Sequence, residues 1–143
     1  MASPIEAVIL LCDAAQADPT GKLHMLGAGW SVTSSPTPPS AVAVMVKIPW
    51  DRANQKLTTT LALEDADGNP APGAPAAEAI LEVGRPPGLD PGTPIDASFA
   101  VTTPSLPLPP GRYTWRLRVA EQEFTASFQV RPTLPPINLQ RAE

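Results

Sequence analysis

Twenty prolines are spread along this chain of 143 residues, and they constrain its fold more than any other feature. Proline has no amide hydrogen to donate, and its ring clashes with the preceding turn of a helix. The prolines therefore argue against a helical protein. The hydrophobic fraction of 43% is ordinary for a globular domain, so wholesale disorder is not expected either.

Between the prolines, apolar and polar residues alternate, as in strands with one buried face. The pattern is clearest in the last third, where two alternating stretches are predicted to pair as a hairpin across Ala120–Glu123. About seven or eight such strands at even spacing predict an all-β fold, an immunoglobulin-like or Greek-key antiparallel β-sandwich, with a closed barrel as the alternative. The side chains expected to face the core are Val42, Val44, Val46, Ile48, Leu57, Leu61, Leu63, Ile95, Ala97, Phe99, Val101, Tyr113, Trp115, Leu117, Val119, Phe124, Ala126, Phe128 and Val130.

The stretch Ile5–Trp30 is predicted to form a hairpin at the centre of the fold. Its first arm, Ile5–Asp13, is the longest nearly continuous apolar run, and Lys22–Trp30 forms the second arm. A strand that is apolar on both faces is typical of the middle of a fold, where other elements cover it front and back. Gly27 and Gly29 indicate a bulge or a close approach of two strands.

The alternating pattern ends at Arg131, which sets the expected domain boundary. We predict one β-sandwich domain, residues 1–131, followed by an extended proline-rich tail, residues 132–143. The longest loop of the domain covers residues 84–92, and its prolines make it stiff.

Charge and cysteine content argue against several classes of protein. A net charge of −4 with scattered basic residues argues against a nucleic-acid partner. The single cysteine, Cys12, cannot form the internal disulfide that marks oxidising compartments. No stretch approaches the ~20 apolar residues of a membrane helix, and no basic residue precedes the run Val8–Cys12, as a signal peptide requires. We expect no membrane partner and a cytoplasmic location, or a virion-associated one if the chain is phage-encoded.

Five short segments stand out along the chain. They are LLCDAAQ at residues 10–16, GKLHMLGAGW at 21–30, IPWDRAN at 48–54, EVGRPPG at 82–88 and LPPGRYTW at 108–115. In this order they resemble a family of small, uncharacterised bacterial proteins, common in actinobacteria, whose domain has no known function. The resemblance implies a compact β-sandwich-like domain and carries over no catalytic residue.

No catalytic group, cofactor or metal site is predicted. The only histidine, His24, falls in a predicted strand, where a structural or solvent-facing role is favoured over acid–base catalysis. Cys12 lies in the most apolar stretch, where burial raises the pKa of a thiol and leaves it unreactive. Asp65, Asp67 and Asn69 have the spacing of a calcium loop, but its glycine and bidentate glutamate are absent, which favours a turn. We therefore expect a protein that is not an enzyme.

Alternate loops of an antiparallel sandwich lie at the same end, and functional residues concentrate on such loops. Four loops are expected together: Asp13–Gly21, Trp50–Asn54, Arg85–Gly92 and Ala120–Glu123. Their candidate interaction residues are Asp13, Asp18, Trp50, Asp51, Asn54 and Arg85.

A purely structural role for these loop residues is the favoured alternative. Trp50 would then cap the core. Arg85 would pair with Asp51 or Asp13 and fasten the loops to one another.

Two functions follow as hypotheses. The first is a non-enzymatic structural or interaction module with protein partners, a subunit of a larger homo- or hetero-assembly; a phage-type decoration or capsid-associated protein is one form of it. The alternative is a sandwich that binds a small anion or glycan at the end that carries Trp50 and Arg85.

Overall fold

The computed structural model describes residues 4–132, so the predicted tail lies outside the described residues except for Pro132. In this part of the chain the only helical element is a 3₁₀ turn at Trp50–Arg52, and no helix could cross a membrane. The strands are β1 (Glu6–Cys12), β2 (Ala14–Ala17), β3 (Leu23–Leu26), β4 (Val32–Ser34), β5 (Ser40–Ile48), β6 (Leu57–Glu64), β7 (Ala77–Leu81), β8 (Ile95–Asp96), β9 (Phe99–Thr103), β10 (Gly111–Val119) and β11 (Gln122–Arg131).

Two sheets face each other. In the first, β5 pairs with β1 on one side and with β8 and β9 on the other, always antiparallel. The second has the order β4-β11-β10-β6-β7, in which β4 runs parallel to β11 and the other pairs are antiparallel. The predicted all-β sandwich is confirmed, and the alternative, a closed barrel, is wrong because both sheets have open edges.

The strand order is that of an immunoglobulin-type sandwich. In the first sheet β1, β5 and the β8–β9 run take the positions of strands A, B and E, and in the second β6, β10 and β11 take those of C, F and G. Tyr113, near the start of β10, donates a hydrogen bond from its hydroxyl to the carbonyl of Pro109 at 2.6 Å, which is the tyrosine corner of such folds. No described strand takes the position of D beside β9, and residues 82–94, between β7 and β8, form a loop.

The core lies between β5 of the first sheet and β6, β10 and β11 of the second. Every second residue of these strands points into it, as the alternation predicted, because successive side chains of a strand point to opposite faces. The predicted core positions that are buried are Val42, Val44, Val46, Ile48, Leu57, Leu61, Leu63, Ile95, Tyr113, Trp115, Leu117, Val119, Phe128 and Val130. The remaining ones, Ala97, Phe99, Val101, Phe124 and Ala126, are only partly buried.

The predicted central hairpin is wrong in its pairing. The apolar first arm forms β1, which pairs with β5 and lies at the edge of its sheet, while β2 and β3 form a separate hairpin. Both faces of β1 are apolar because they serve different layers: Leu11 faces the main core, whereas Cys12 is buried on the outer face of the sheet. There β2 lies against β5 and β9, above the buried side chains of Ala41 and Ala43.

The close approach predicted at the glycines is confirmed at Gly27. Its φ of +60° lies in the left-handed region, and a methyl group on its α-carbon would overlap the carboxylate of Asp13. Asp13 also donates its backbone N–H to the carbonyl of Leu26 at 2.9 Å. Gly27 thus allows the hairpin to fold back at the end of β1.

Truncation of a core side chain measures how much of the stability comes from the layer between the sheets. Leu117 is fully buried, so that Leu117→Ala removes apolar contacts and leaves a cavity, with an expected loss of about 2–5 kcal/mol in the free energy of unfolding. The control, Leu26→Ala, truncates the same type of side chain where it is 71% exposed and is expected to cost less than about 0.5 kcal/mol. Urea unfolding measures both, and equal losses would contradict this account of the core.

Candidate functional site

Two of the predicted loops contact each other at the end of the sandwich where β5 stops. Pro49 ends β5, and Trp50 follows at the start of the 3₁₀ turn. The guanidinium of Arg85 lies over the Trp50 ring, 4.4 Å from its centre, and Nη2 donates a hydrogen bond to the Trp50 carbonyl at 2.7 Å. Asn54, with φ of +62°, donates its backbone N–H to the carbonyl of Val83 at 2.7 Å. These contacts hold the two loops together.

A third predicted loop joins them through an ion pair that sequence reasoning missed. Arg52 is buried, and its guanidinium forms a two-pronged contact with the carboxylate of Glu121 in the β10–β11 turn, with 3.1 Å between Nη2 and Oε2. This hydrogen bonding lowers the pKa of Glu121 below its ordinary value and raises the pKa of Arg52. The two residues are 69 positions apart, so no local pattern could have paired them.

The N-terminal segment is attached at the same end. The Gln122 side chain donates from Nε2 to the carbonyl of Ile5 at 2.9 Å, and its Oε1 accepts the Ile5 backbone N–H. Ile5 itself is buried. The next strand of the chain, β1, therefore starts from a fixed point beside the loops.

A groove of about 450 Å³ opens between the N-terminal segment and the loops. Trp50 forms part of its wall, together with the charged residues Glu6, Lys47 and Asp51. Lys47 Nζ lies 2.6 Å from Asp96 Oδ1, and this ion pair raises the pKa of Lys47. The two cations near the groove already have partners, because Lys47 pairs with Asp96 and Arg85 donates a hydrogen bond to the Trp50 carbonyl.

Two predicted site residues, Asp13 and Asp18, take no part in these contacts. Asp13 follows Cys12, which pairs with Ala41 at the beginning of β5, so it lies at the opposite end from Trp50 and cannot pair with Arg85. The extra reversal of direction at the β2–β3 hairpin caused this error in the prediction. The tryptophan of the core is Trp115, and the partly buried Trp30 packs against that core, whereas Trp50 is half-buried in the groove wall.

Asp18 organises the turn of the β2–β3 hairpin. Its carboxylate accepts hydrogen bonds from the hydroxyl of Thr20 at 2.6 Å, from backbone amides, and contacts His24 Nε2 at 2.8 Å. The hydrogen bond from Thr20, followed by that of His24, lowers the pKa of Asp18 well below its usual range. The histidine side chain is 66% exposed on this turn.

The other candidate sites have structural explanations as well. Burial raises the pKa of the Cys12 thiol, which is enclosed beside β5. The Asp65 carboxylate accepts the backbone N–H groups of Asp67 and Asn69, at 2.9 and 3.0 Å, which makes the segment a turn. Among residues 4–132, no group of three or more His, Cys, Asp or Glu side chains could hold a metal ion.

These features define an open, immunoglobulin-type β-sandwich with one fastened loop end. The chain belongs to a family of unknown function, DUF6941, whose model matches residues 7–131. The predicted membership of an uncharacterised domain family is thereby confirmed. A search of curated proteins found no match to the chain.

The ion pair at the loop end predicts a pH dependence of stability. Because Arg52 lowers the pKa of Glu121 in the folded state, the carboxylate stabilises the fold above its unfolded pKa of about 4.5, and this contribution is lost as the pH falls through the lower folded value. Glu121→Gln should therefore have a lower Tm than the unsubstituted chain at neutral pH. The difference in Tm between the two proteins should become smaller as the pH falls towards 3. The control is Glu78→Gln on β7; a Tm difference for Glu121→Gln that does not change with pH would contradict the assignment.

Proposed function

We propose that this chain is a non-enzymatic interaction module that assembles with other protein chains, either copies of itself or different partners. A cytoplasmic location, or a place in a virion as a decoration or capsid-associated protein, is part of this proposal. The observation that carries it is the distribution of exposed apolar side chains. Among residues 4–132, four of the five large exposed ones lie on strands at the edges of sheets: Val8 on β1, Leu26 on β3, Val32 on β4 and Ile80 on β7, exposed by 54, 71, 45 and 63%.

The position of these side chains on edge strands is what suggests a contact with another chain. Single apolar residues on a surface are ordinary, but an edge strand also presents unpaired backbone N–H and C=O groups to any strand that approaches. Monomeric proteins commonly protect such edges with lysine, proline or a covering loop. Here β7 carries Ala77, Ala79 and Ile80 with one charged residue, Glu78, which favours pairing with another chain.

The assembled state is tested by mass in solution. Light scattering at increasing protein concentration should give a mass above the 15.0 kDa of one chain, with the increase retained at high salt because the contact is apolar. A protein partner would instead appear as a discrete complex of constant stoichiometry. A monodisperse 15.0 kDa species throughout, with no partner bound, would refute the proposal.

A second candidate function is the binding of a small ligand in the groove beside Trp50. Trp50, Glu6 and Asp51 are among the residues that line this groove. Sugar rings stack on indole faces and donate hydrogen bonds to carboxylates, so the wall favours a glycan over the anion that the arginine alone would suggest. The role of Trp50 and Arg85 in binding stays a prediction.

A thermal-shift screen tests this second function. A glycan that binds the folded state should raise Tm in proportion to the logarithm of its concentration, and Trp50→Ala should abolish the shift. Arg85→Ala removes the cation above the ring without removing the ring, and it should reduce the shift less. No shift with any glycan or anion, or an undiminished shift in Trp50→Ala, would retire the candidate.

A further inference from the structure

An apolar groove of about 250 Å³ runs along one open edge of the sandwich, between β7 of the second sheet and β9 of the first. Its walls are the inward-facing side chains of these strands, and Leu61 of β6 is at its floor. The wall residues are Ala77, Ala79, Leu81, Phe99 and Val101. They point towards the core, and yet all five are partly or fully exposed.

The opposite edge of the sandwich is closed. There the ring of Trp30 meets the ring of Phe128 edge-on, with their centres 5.5 Å apart. Phe128 also stacks on Tyr113 at 5.8 Å. The groove is therefore a local gap in the sandwich and not a general looseness of its packing.

The gap has a topological cause. In an immunoglobulin-type sandwich strand D lies beside strand E, which corresponds here to the β8–β9 run. The chain between β7 and β8 instead contains Pro86, Pro87, Pro91 and Pro94, which have no backbone donor for a ladder. Within residues 4–132, β7 has no strand on its outer side. An added strand could therefore form backbone hydrogen bonds with β7 and place its side chains in the apolar groove.

The end of the chain has the composition of such a strand. After Pro135 and Pro136, residues 137–143 read INLQRAE and contain no proline. Ile137 and Leu139 alternate with Asn138 and Gln140, the period of a strand with one apolar face. The segment exceeds the five residues of β7 in length.

Geometry favours a second copy as the source of this strand. The described chain ends beyond β11, which is separated from β7 by β10 and β6, a distance of about 14 Å at the usual strand spacing. Residues 132–136 span about 15 Å when fully extended. They would have to pass around the loop that joins β6 to β7 at the same end, which leaves no slack for the chain to reach its own groove.

We propose that the groove between β7 and β9 binds the C-terminal segment of a second copy, residues 137–143, as an added strand with Ile137 and Leu139 in the groove. This is strand addition at a sheet edge, in which backbone hydrogen bonds give affinity and side-chain pockets give specificity. Reciprocal exchange closes a dimer, and one-way exchange produces a longer array. The inference deepens the proposed assembly function and rests on it.

Three full-length variants test the proposal by light scattering. Ala79→Arg places a charged side chain at the mouth of the groove, and Ile137→Asp with Leu139→Asp makes the tail polar; each should reduce the mass to the 15.0 kDa of one chain. Glu78→Arg is the matched control, because Glu78 is the neighbouring residue of β7 but points away from the groove and is already exposed and charged. This control should assemble as the unsubstituted chain does.

Mixing the two disrupted variants separates loss of binding from loss of folding. The groove variant keeps an intact tail, and the tail variant keeps an intact groove, so an equimolar mixture should form a complex of two chains that neither forms alone. Failure of the mixture to associate would overturn the proposal.

The remaining outcomes are equally distinct. Assembly that survives both disrupting variants would overturn this interface but leave the proposed assembly function intact. A monomeric unsubstituted chain would overturn both. If the unsubstituted chain is a monomer, and if Ala79→Arg and the tail substitutions lower its Tm by equal amounts, the tail occupies the groove of its own chain. That result would overturn binding by a second copy.

Discussion

The apolar layer between the two sheets is the constraint on which the rest of the structure depends. Val44 and Leu117 are each fully buried from opposite sheets, and full burial of such a side chain contributes about 1.5–3 kcal/mol. Because side chains alternate along a strand, fixing the buried set also fixes what faces water. On the outer face of the second sheet Arg116 then lies between Glu64 and Glu123, with 3.0 Å between Nε and Glu64 Oε1. A shift of one residue in the pairing of a strand would exchange its buried and its exposed side chains.

Most of the fold could be predicted because four strands carry large apolar side chains at alternate positions. The alternation in β5, β6, β10 and β11 identified the side chains that face the main core, although Phe124 and Ala126 are only partly buried, and the prolines correctly argued against α-helices in the part of the chain that the structure describes. The pattern failed for β1, since both of its faces are covered by different layers near Cys12. Periodicity says which face is apolar; it does not say which strand is the neighbour.

The candidate site was predicted less completely, for two physical reasons. Counting strands placed three loops at one end correctly, but the reversal after Asp13 carried that residue to the other end. The contacts that fasten the loops, Arg52 with Glu121 and Gln122 with Ile5, join positions 69 and 117 residues apart. Neither pair has a local signature in the sequence. The missing strand D was also hidden, because a stiff proline-rich loop is compatible with many sheet orders.

The outer hairpin, β2–β3, has a consequence of a different kind. The thiol of Cys12 is fully buried on a face of the sheet that the main core does not use, and β2 lies against β5 and β9 on that face. A local opening of the hairpin would expose the thiol without unfolding the main core. Thiolate is the reactive form, and burial raises the pKa of this group. Cys12 therefore serves as a chemical probe of local motion: the rate at which a thiol reagent labels the native protein, compared with the rate of global unfolding, measures how often the hairpin opens.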